Sequence, residues 1–206
     1  MTGRVAALSL YVFVTGAGLG ATLSGCAHTQ AYYDYANEPD PRKQPFVLGP
    51  SDVLRIAVWK NADLTGDATV RPDGTITLAL IGELRAAGKT AAQLRDEIAQ
   101  RLSTYVKNDA ITVTVAVMAV NSYRFTVSGN VEKGGSFGSA QYVTVTEAIA
   151  LAGGANRFAT AEDAVIMRPS KDGTVKRIPV DYPAILKGKH PEQNLVMLPG
   201  DVLYVP

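Results

Sequence analysis

Apolar and polar positions alternate along Val53–Trp59. Leu54, Ile56 and Val58 fall on one face, and Arg55, Ala57 and Trp59 on the other. A period of two predicts a half-buried strand. In TVRPDGTITLALI, two β-prone runs flank Asp73-Gly74, which predicts a hairpin closed by a type I′ turn. The period then changes. Leu94, Ile98, Leu102 and Tyr105 or Val106 recur at helical spacing, and Thr90 with Gln93 fits a capping box, so a helix is expected over 91–106. ITVTVAVMAV (111–120) is a β-branched run and predicts a strand. The first unit therefore reads strand, hairpin, helix, strand.

A second unit starts near Tyr123. YRFTVSGNV places Tyr123, Phe125 and Val127 on one face of a strand, and Gly129-Asn130 and Gly134-Gly135 mark turns. Thr144 and Glu147 form another capping box before EAIALA, and Gly153-Gly154 predicts the helix end. AVIMRP and KDGTVKRIPV predict a hairpin around Asp172-Gly173. Residues 182–195 read as loop, and LPGDVLYVP as a final strand. Two short sequences echo each other: PSDVL at 50–54 and PGDVL at 199–203. So do RPDGT (71–75) and RPSKDGT (168–174). The two echoes occur in opposite order, so local turn chemistry explains them better than a tandem duplication does.

The segment before Phe46 has neither period. Arg4 precedes the uncharged, apolar or small run VAALSLYVFVTGAGLGATLSG, the layout of a secretory signal over 1–25. Leu23-Ser24-Gly25-Cys26 resembles the lipobox of bacterial lipoproteins, in which the cysteine is acylated and becomes the first residue. Cys26 is thus the candidate lipid-attachment site. An uncleaved transmembrane helix over 5–23 is the alternative, since nineteen residues at ~1.5 Å each just span ~30 Å of hydrocarbon. Residues 26–45 carry Pro39, Pro41 and Pro45 and read as an extended, lipidated tether. Tyr32, Tyr33 and Tyr35 read as tyrosines in a loose linker, with docking on another surface as the alternative.

Composition narrows the function. The chain has 206 residues, 47% of them hydrophobic, with 20 Lys plus Arg against 19 Asp plus Glu. That balance gives no global charge excess for nucleic acid, and none is expected as a partner. One cysteine excludes an intramolecular disulfide, and two histidines far apart in sequence offer no metal-ligand spacing, so no metal or cofactor is expected. Ser128 and Ser136 sit in no nucleophile elbow. Gly153-Gly154-Ala155-Asn156 lacks a P-loop lysine. Glu162-Asp163, or Asp67 with Asp73, could be written as a glycosidase pair. Solvated loop acids are the commoner case, and no catalytic residue is assigned. Trp59 reads as packing or a subunit contact, with sugar stacking as the alternative.

These segments carry a family resemblance. FVLGPSDVLRIAVWKNADLT and VRPDGTITLALIGELRAAGKTAAQLRDEIAQRL resemble the export domain of bacterial outer-membrane polysaccharide export proteins, where Gly is usual at position 51. VSGNVEKGGSFG, VTVTEAIALAGGANRFA and LPGDVLYVP resemble their soluble-ligand-binding β-grasp (SLBB) module, with Gly134 where proline is usual. The resemblance implies an α+β chain: an export domain over 46–120, then one β-grasp domain over 121–206. It implies no enzyme. It also implies a homo-oligomeric ring that conducts polysaccharide in line with an inner-membrane co-polymerase or synthase. Longer members end in an amphipathic membrane-spanning helix. None follows Pro206 here, so a separate outer-membrane β-barrel partner is expected. The implied location is the outer membrane, lipid-anchored and facing the periplasm. A monomeric polysaccharide-binding lipoprotein is the alternative.

Overall fold

In the computed structural model, which describes residues 33–105, 111–170 and 172–206, the alternation at Val53–Val58 forms strand β1. There follow β2 (Gly66–Thr69), β3 (Thr75–Leu78), β4 (Gly82–Arg85), helix α1 (Ala91–Leu102) and β5 (Val113–Ala119). β1 is the centre of a three-stranded antiparallel sheet in the order β2-β1-β5, and β3 pairs only with β4. The inward residues Leu54, Ile56 and Val58 meet Leu94, Ile98 and Leu102 of α1 in one buried core. The α1 capping box is present: Gln93 N–H donates to Thr90 Oγ1 (3.2 Å), and Thr90 N–H donates to Gln93 Oε1 (2.9 Å).

The second unit runs β6 (Arg124–Gly129), β7 (Gly135–Gly138), α2 (Val145–Leu151), β8 (Ala164–Pro169), β9 (Val175–Val180), α3 (Tyr182–Leu186) and β10 (Val202–Val205). Its sheet has the order β7-β6-β10-β8-β9, and β10 lies parallel to β6 and antiparallel to β8. A closing strand inserted at the centre of a mixed sheet, with α2 across one face, is the β-grasp arrangement. Tyr123, Phe125 and Val127 point into its core with Ile149, Ile166, Ile178 and Leu203. The buried Tyr123 hydroxyl is satisfied, donating to Met197 O (3.0 Å) and accepting from Val143 N–H (2.9 Å). Among the described residues no helix is long and apolar enough to cross a membrane.

The structure differs from the sequence reading in five places. α1 ends at Leu102, and Tyr105 lies exposed in the turn after it. The strand expected over 111–120 is confined to Val113–Ala119. Asp73-Gly74 closes a turn, but the strands flanking it enter different sheets. The turn is not type I′, because Asp73 does not have positive φ. Pro72 holds its own φ negative, Arg71 O accepts from Gly74 N–H, and Asp73 Oδ1 caps Thr75 N–H. The Asp172-Gly173-Thr174 turn repeats that capping. Residues 182–195 are not all loop. Asp181 accepts from Ala184 N–H (2.8 Å) and starts α3, with Pro183 in the first turn, and a 3-10 turn follows at Pro191–Gln193.

The fifth difference concerns the tether. Over Tyr33–Lys43 the chain makes two 3-10 turns, Tyr35–Asn37 and Pro41–Lys43, and Tyr33 and Tyr35 pack against the β-grasp core. This part is a docked strap rather than a loose linker. Tyr35 Oη donates to Pro179 O on β9 at 2.9 Å. Residues 26–32, including Cys26, lie outside the described residues.

The PSDVL and PGDVL echo is one turn used twice. Gly49-Pro50-Ser51-Asp52 and Leu198-Pro199-Gly200-Asp201 each close with the Asp N–H donating back three residues (3.3 and 3.0 Å). In each, the third residue has positive φ, 73° at Ser51 and 87° at Gly200, as a type II turn demands. Each then docks on a neighbouring segment: Ser51 N–H on Val70 O, and Gly200 N–H on Arg124 O. Left-handed backbone costs a non-glycine residue roughly 1–2 kcal/mol. Part of that returns through the greater freedom of an unfolded glycine. Ser51→Gly should therefore stabilise the protein by roughly 0.5–1 kcal/mol, read as a higher urea midpoint at unchanged m-value. A lower midpoint would contradict the turn assignment.

Candidate functional site

Among the described residues no group of His, Cys, Asp and Glu could hold a metal ion. His190 is exposed beside Glu192, and His28 lies outside the described residues, as does Cys26. The acids considered for glycosidase chemistry are separate surface groups. Asp67 faces Arg55 at 3.7 Å, Asp73 caps its own turn, and Glu162 and Asp163 sit exposed on a 3-10 turn. The structure brings together other residues instead, in three places.

The first is the junction between the two units. The Asp52 carboxylate is fully buried and accepts four hydrogen bonds, from Gly49 N–H (2.9 Å), Asn121 N–H (2.8 Å), Ser122 N–H (2.8 Å) and Ser122 Oγ (2.9 Å). Its turn thus grips the two residues where β5 hands over to β6. The approach is close: a Cβ on Gly49 would lie 2.5 Å from Ser122 Cβ, so no side chain fits there.

The second is an ion network on the β-grasp unit. Asp201, also fully buried, accepts from Leu198 N–H (2.7 Å), repeating the contact that Asp52 makes with Gly49. Its other partner is Arg168 of β8, whose Nε and Nη2 lie 3.0 and 2.7 Å from the carboxylate. Arg168 Nη1 reaches Glu38 of the strap at 2.8 Å, and Nη2 also bonds Val196 O at 3.1 Å. Lys176 and Tyr33 complete the shell around Glu38. Burial pushes Glu38 up, but its bonds to Lys176 and Tyr33 and the charge of Arg168 outweigh this and leave it below the usual carboxylate range. Burial, with Glu192 and Tyr33 adding to it, raises the Tyr35 phenol to about 12.

The third is an open cleft of about 570 Å³ at the end of β1, lined by Trp59, Lys60, Asn61, Thr112 and Thr114. Trp59 is 70% exposed, so it does not pack within the chain as one sequence reading held. Sequence reasoning missed Glu38, Arg168 and Asp201. The repeated Asp of P-x-D-V-L was the available signal, since Asp52 and Asp201 occupy matching turns.

Comparison with known proteins fits this geometry. Residues 40–116 match the model of the "Polysaccharide biosynthesis/export protein" family, and residues 124–179 match the SLBB domain. The chain thus carries a polysaccharide export domain followed by an SLBB domain. Similar curated proteins include the EPS I polysaccharide export outer membrane protein EpsA of Ralstonia nicotianae, 29% identical over 185 residues, covering 78% of this chain and 47% of that one. The exopolysaccharide production protein ExoF of Rhizobium meliloti is 31% identical over 128 residues, covering 56% of this chain and 30% of that one. EpsA of Ralstonia solanacearum is 28% identical over 185 residues, covering 78% and 48%. The chain spans about half or less of the length of these relatives. The SLBB match stops at residue 179, whereas the sheet is completed by β10 at 202–205.

Two outcomes test the network. Arg168→Met leaves Asp201 buried without its cation and takes one of two cations from Glu38, and should cost about 3–5 kcal/mol in chemical denaturation. Because Glu38 titrates lower when folded, its contribution is complete above its ordinary value of 4.5 and is lost as pH falls through the folded pKa. Glu38→Gln should therefore flatten the fall of stability between pH 5 and pH 3, with a cost at neutral pH of roughly 1–3 kcal/mol. Unchanged acid dependence would remove Glu38 from the account.

Proposed function

We propose that this chain is a non-enzymatic component of a capsule or exopolysaccharide export machine, conducting polymer through the periplasm toward the outer membrane. The observation that carries the reading is the export domain joined, through the buried Asp52 carboxylate, to a five-stranded β-grasp domain. The relatives' names, polysaccharide export outer membrane protein among them, support the substrate class and the location. In this reading residues 1–25 are a signal, and Cys26 carries the lipid that holds the protein at the outer membrane's periplasmic face. Copies of the chain form a ring, whose contacts use free sheet edges and exposed apolar side chains such as Leu80, Phe158 and Leu186. An inner-membrane co-polymerase or synthase feeds the ring, and a separate outer-membrane β-barrel protein receives the polymer.

Deleting the gene tests the function. Polymer should still be synthesised but accumulate within the cell envelope, with release restored by the wild-type copy. Undiminished release would refute the proposal. The anchor is tested separately: Cys26→Ser should abolish incorporation of labelled fatty acid and leave a precursor or a mislocalised protein. Native mass measurement of the lipidated protein should show a large closed oligomer. A protein that stays monomeric at high concentration would favour the simple polysaccharide-binding lipoprotein instead.

A further inference from the structure

The three-stranded sheet has two faces, and α1 covers one. The other carries Ala57 and Trp59 from β1 and its end, and Thr114, Ala116 and Met118 from β5, with Ala57 opposite Thr114 and Arg55 opposite Ala116. Trp59 stands at the edge of this floor of small residues, with the cleft beside it.

The main chain there is fixed. Trp59 N–H donates to Thr112 O at 2.9 Å, and Trp59 O accepts from Asn61 Nδ2 at 3.0 Å. Thr65 Oγ1 braces the turn, accepting from Val58 N–H (3.0 Å) and donating to Asn61 O (3.1 Å). Lys60 is held at φ 60°, left-handed backbone that costs a non-glycine residue roughly 1–2 kcal/mol. An extended strand would send Trp59 and Lys60 to opposite faces. This kink lets Trp59, Lys60 and Asn61 line one cleft. Strain at a place where it gathers an indole, an ammonium and an amide is a mark of a binding site.

The lining selects the ligand. Aromatic faces take up the C–H faces of sugar rings, while hydroxyl and amide groups meet sugar hydroxyls. Among the described residues, no side-chain hydrogen bond engages the hydroxyls of Thr112 and Thr114, and no ion pair engages Lys60. One cation and no acid line the cleft. Arg55, on the same face, has Asp67 within 3.7 Å. A volume of about 570 Å³ falls within the ~300–1,000 Å³ of ordinary ligand clefts. A second protein copy is a poorer fit. A stable interface covers about 800 Å² per partner around a core of large apolar groups, and beyond Trp59 and Met118 this face offers alanines and threonines.

We propose that the Trp59 cleft is a subsite for a segment of anionic, uronate-type polysaccharide. One sugar ring stacks on Trp59, and a carboxylate meets Lys60. The proposal rests on the export reading and names where this chain touches its polymer.

Trp59 is the single tryptophan of the chain, so intrinsic fluorescence reports this site alone. The full lipidated protein in detergent is titrated with polygalacturonate oligosaccharides and, separately, with neutral dextran oligosaccharides. The uronate probe should shift and saturate the emission, with dextran weaker. Lys60→Gln should weaken the uronate response about two- to fivefold, the range of an exposed ion pair, and leave dextran unchanged. Trp59→Ala should abolish uronate binding in calorimetry while keeping the wild-type denaturation midpoint. No response to either probe, or an equal one to both, would overturn the proposal. So would an emission change on diluting the protein without sugar, which would mean that a second copy covers Trp59. The two readings fail separately: polymer retention on gene deletion with a silent Trp59 removes only the subsite, and undiminished release with a responsive Trp59 removes only the export role.

Discussion

Arg168 joins the two ends of the described chain. Its guanidinium lies between the carboxylate of Asp201, which leads into the closing strand, and that of Glu38, in the strap that precedes the export domain. Both carboxylates are all but completely buried. Desolvating three charges is tolerable only because their geometry and further hydrogen bonds compensate. Here Leu198 N–H, Val196 O, Tyr33 and Lys176 supply them. The strap, though first in sequence, therefore belongs to the β-grasp unit. From Tyr33 the described chain runs along that unit, leaves it to build the export domain, and returns.

The return is governed by the second buried aspartate. Asp52 performs with three backbone N–H groups and a hydroxyl what Asp201 performs with one N–H and an arginine. Each fixes the turn that starts a strand of a sheet. In the proposed setting this has a mechanical meaning. Tension between a lipid on Cys26 and polymer at the Trp59 cleft would cross the strap network and the Asp52 junction in series. A conduit that makes and breaks no bonds needs such joints more than it needs reactive groups, and among the described residues three of the four buried polar or charged side chains, Asp52, Arg168 and Asp201, serve them.

Much of this was legible where the signal is local. Capping boxes at Thr90 and Thr144, the alternation at Leu54–Val58 and at Tyr123–Val127, and the P-x-D-V-L echo each depend on neighbours in sequence. The type of the Asp73-Gly74 turn was misread because Asp-Gly also serves turns with a negative φ at Asp, and Pro72 decides between them. α3 read as loop because five residues carry no helical periodicity; its start rests on the Asp181 cap and Pro183 alone. The strap was opaque for a different reason. A polar, proline-rich segment looks the same whether it is free or docked, and Glu38 meets Arg168 only after the whole β-grasp sheet has formed. Exposure of Trp59 was likewise invisible, since alternation gives a face and not what covers it.

Hydrogen–deuterium exchange on the full-length protein, comparing wild type with Glu38→Gln at neutral pH, tests the account's central claim most directly. If the strap is held through Arg168, the amides of Ala36–Glu38 and the flanking strand β9 exchange faster in the variant. Those of β1, β5 and α1 keep their wild-type rates. Strap amides that exchange at the rate of an unstructured peptide in the wild type, or rates that do not change in the variant, would contradict it.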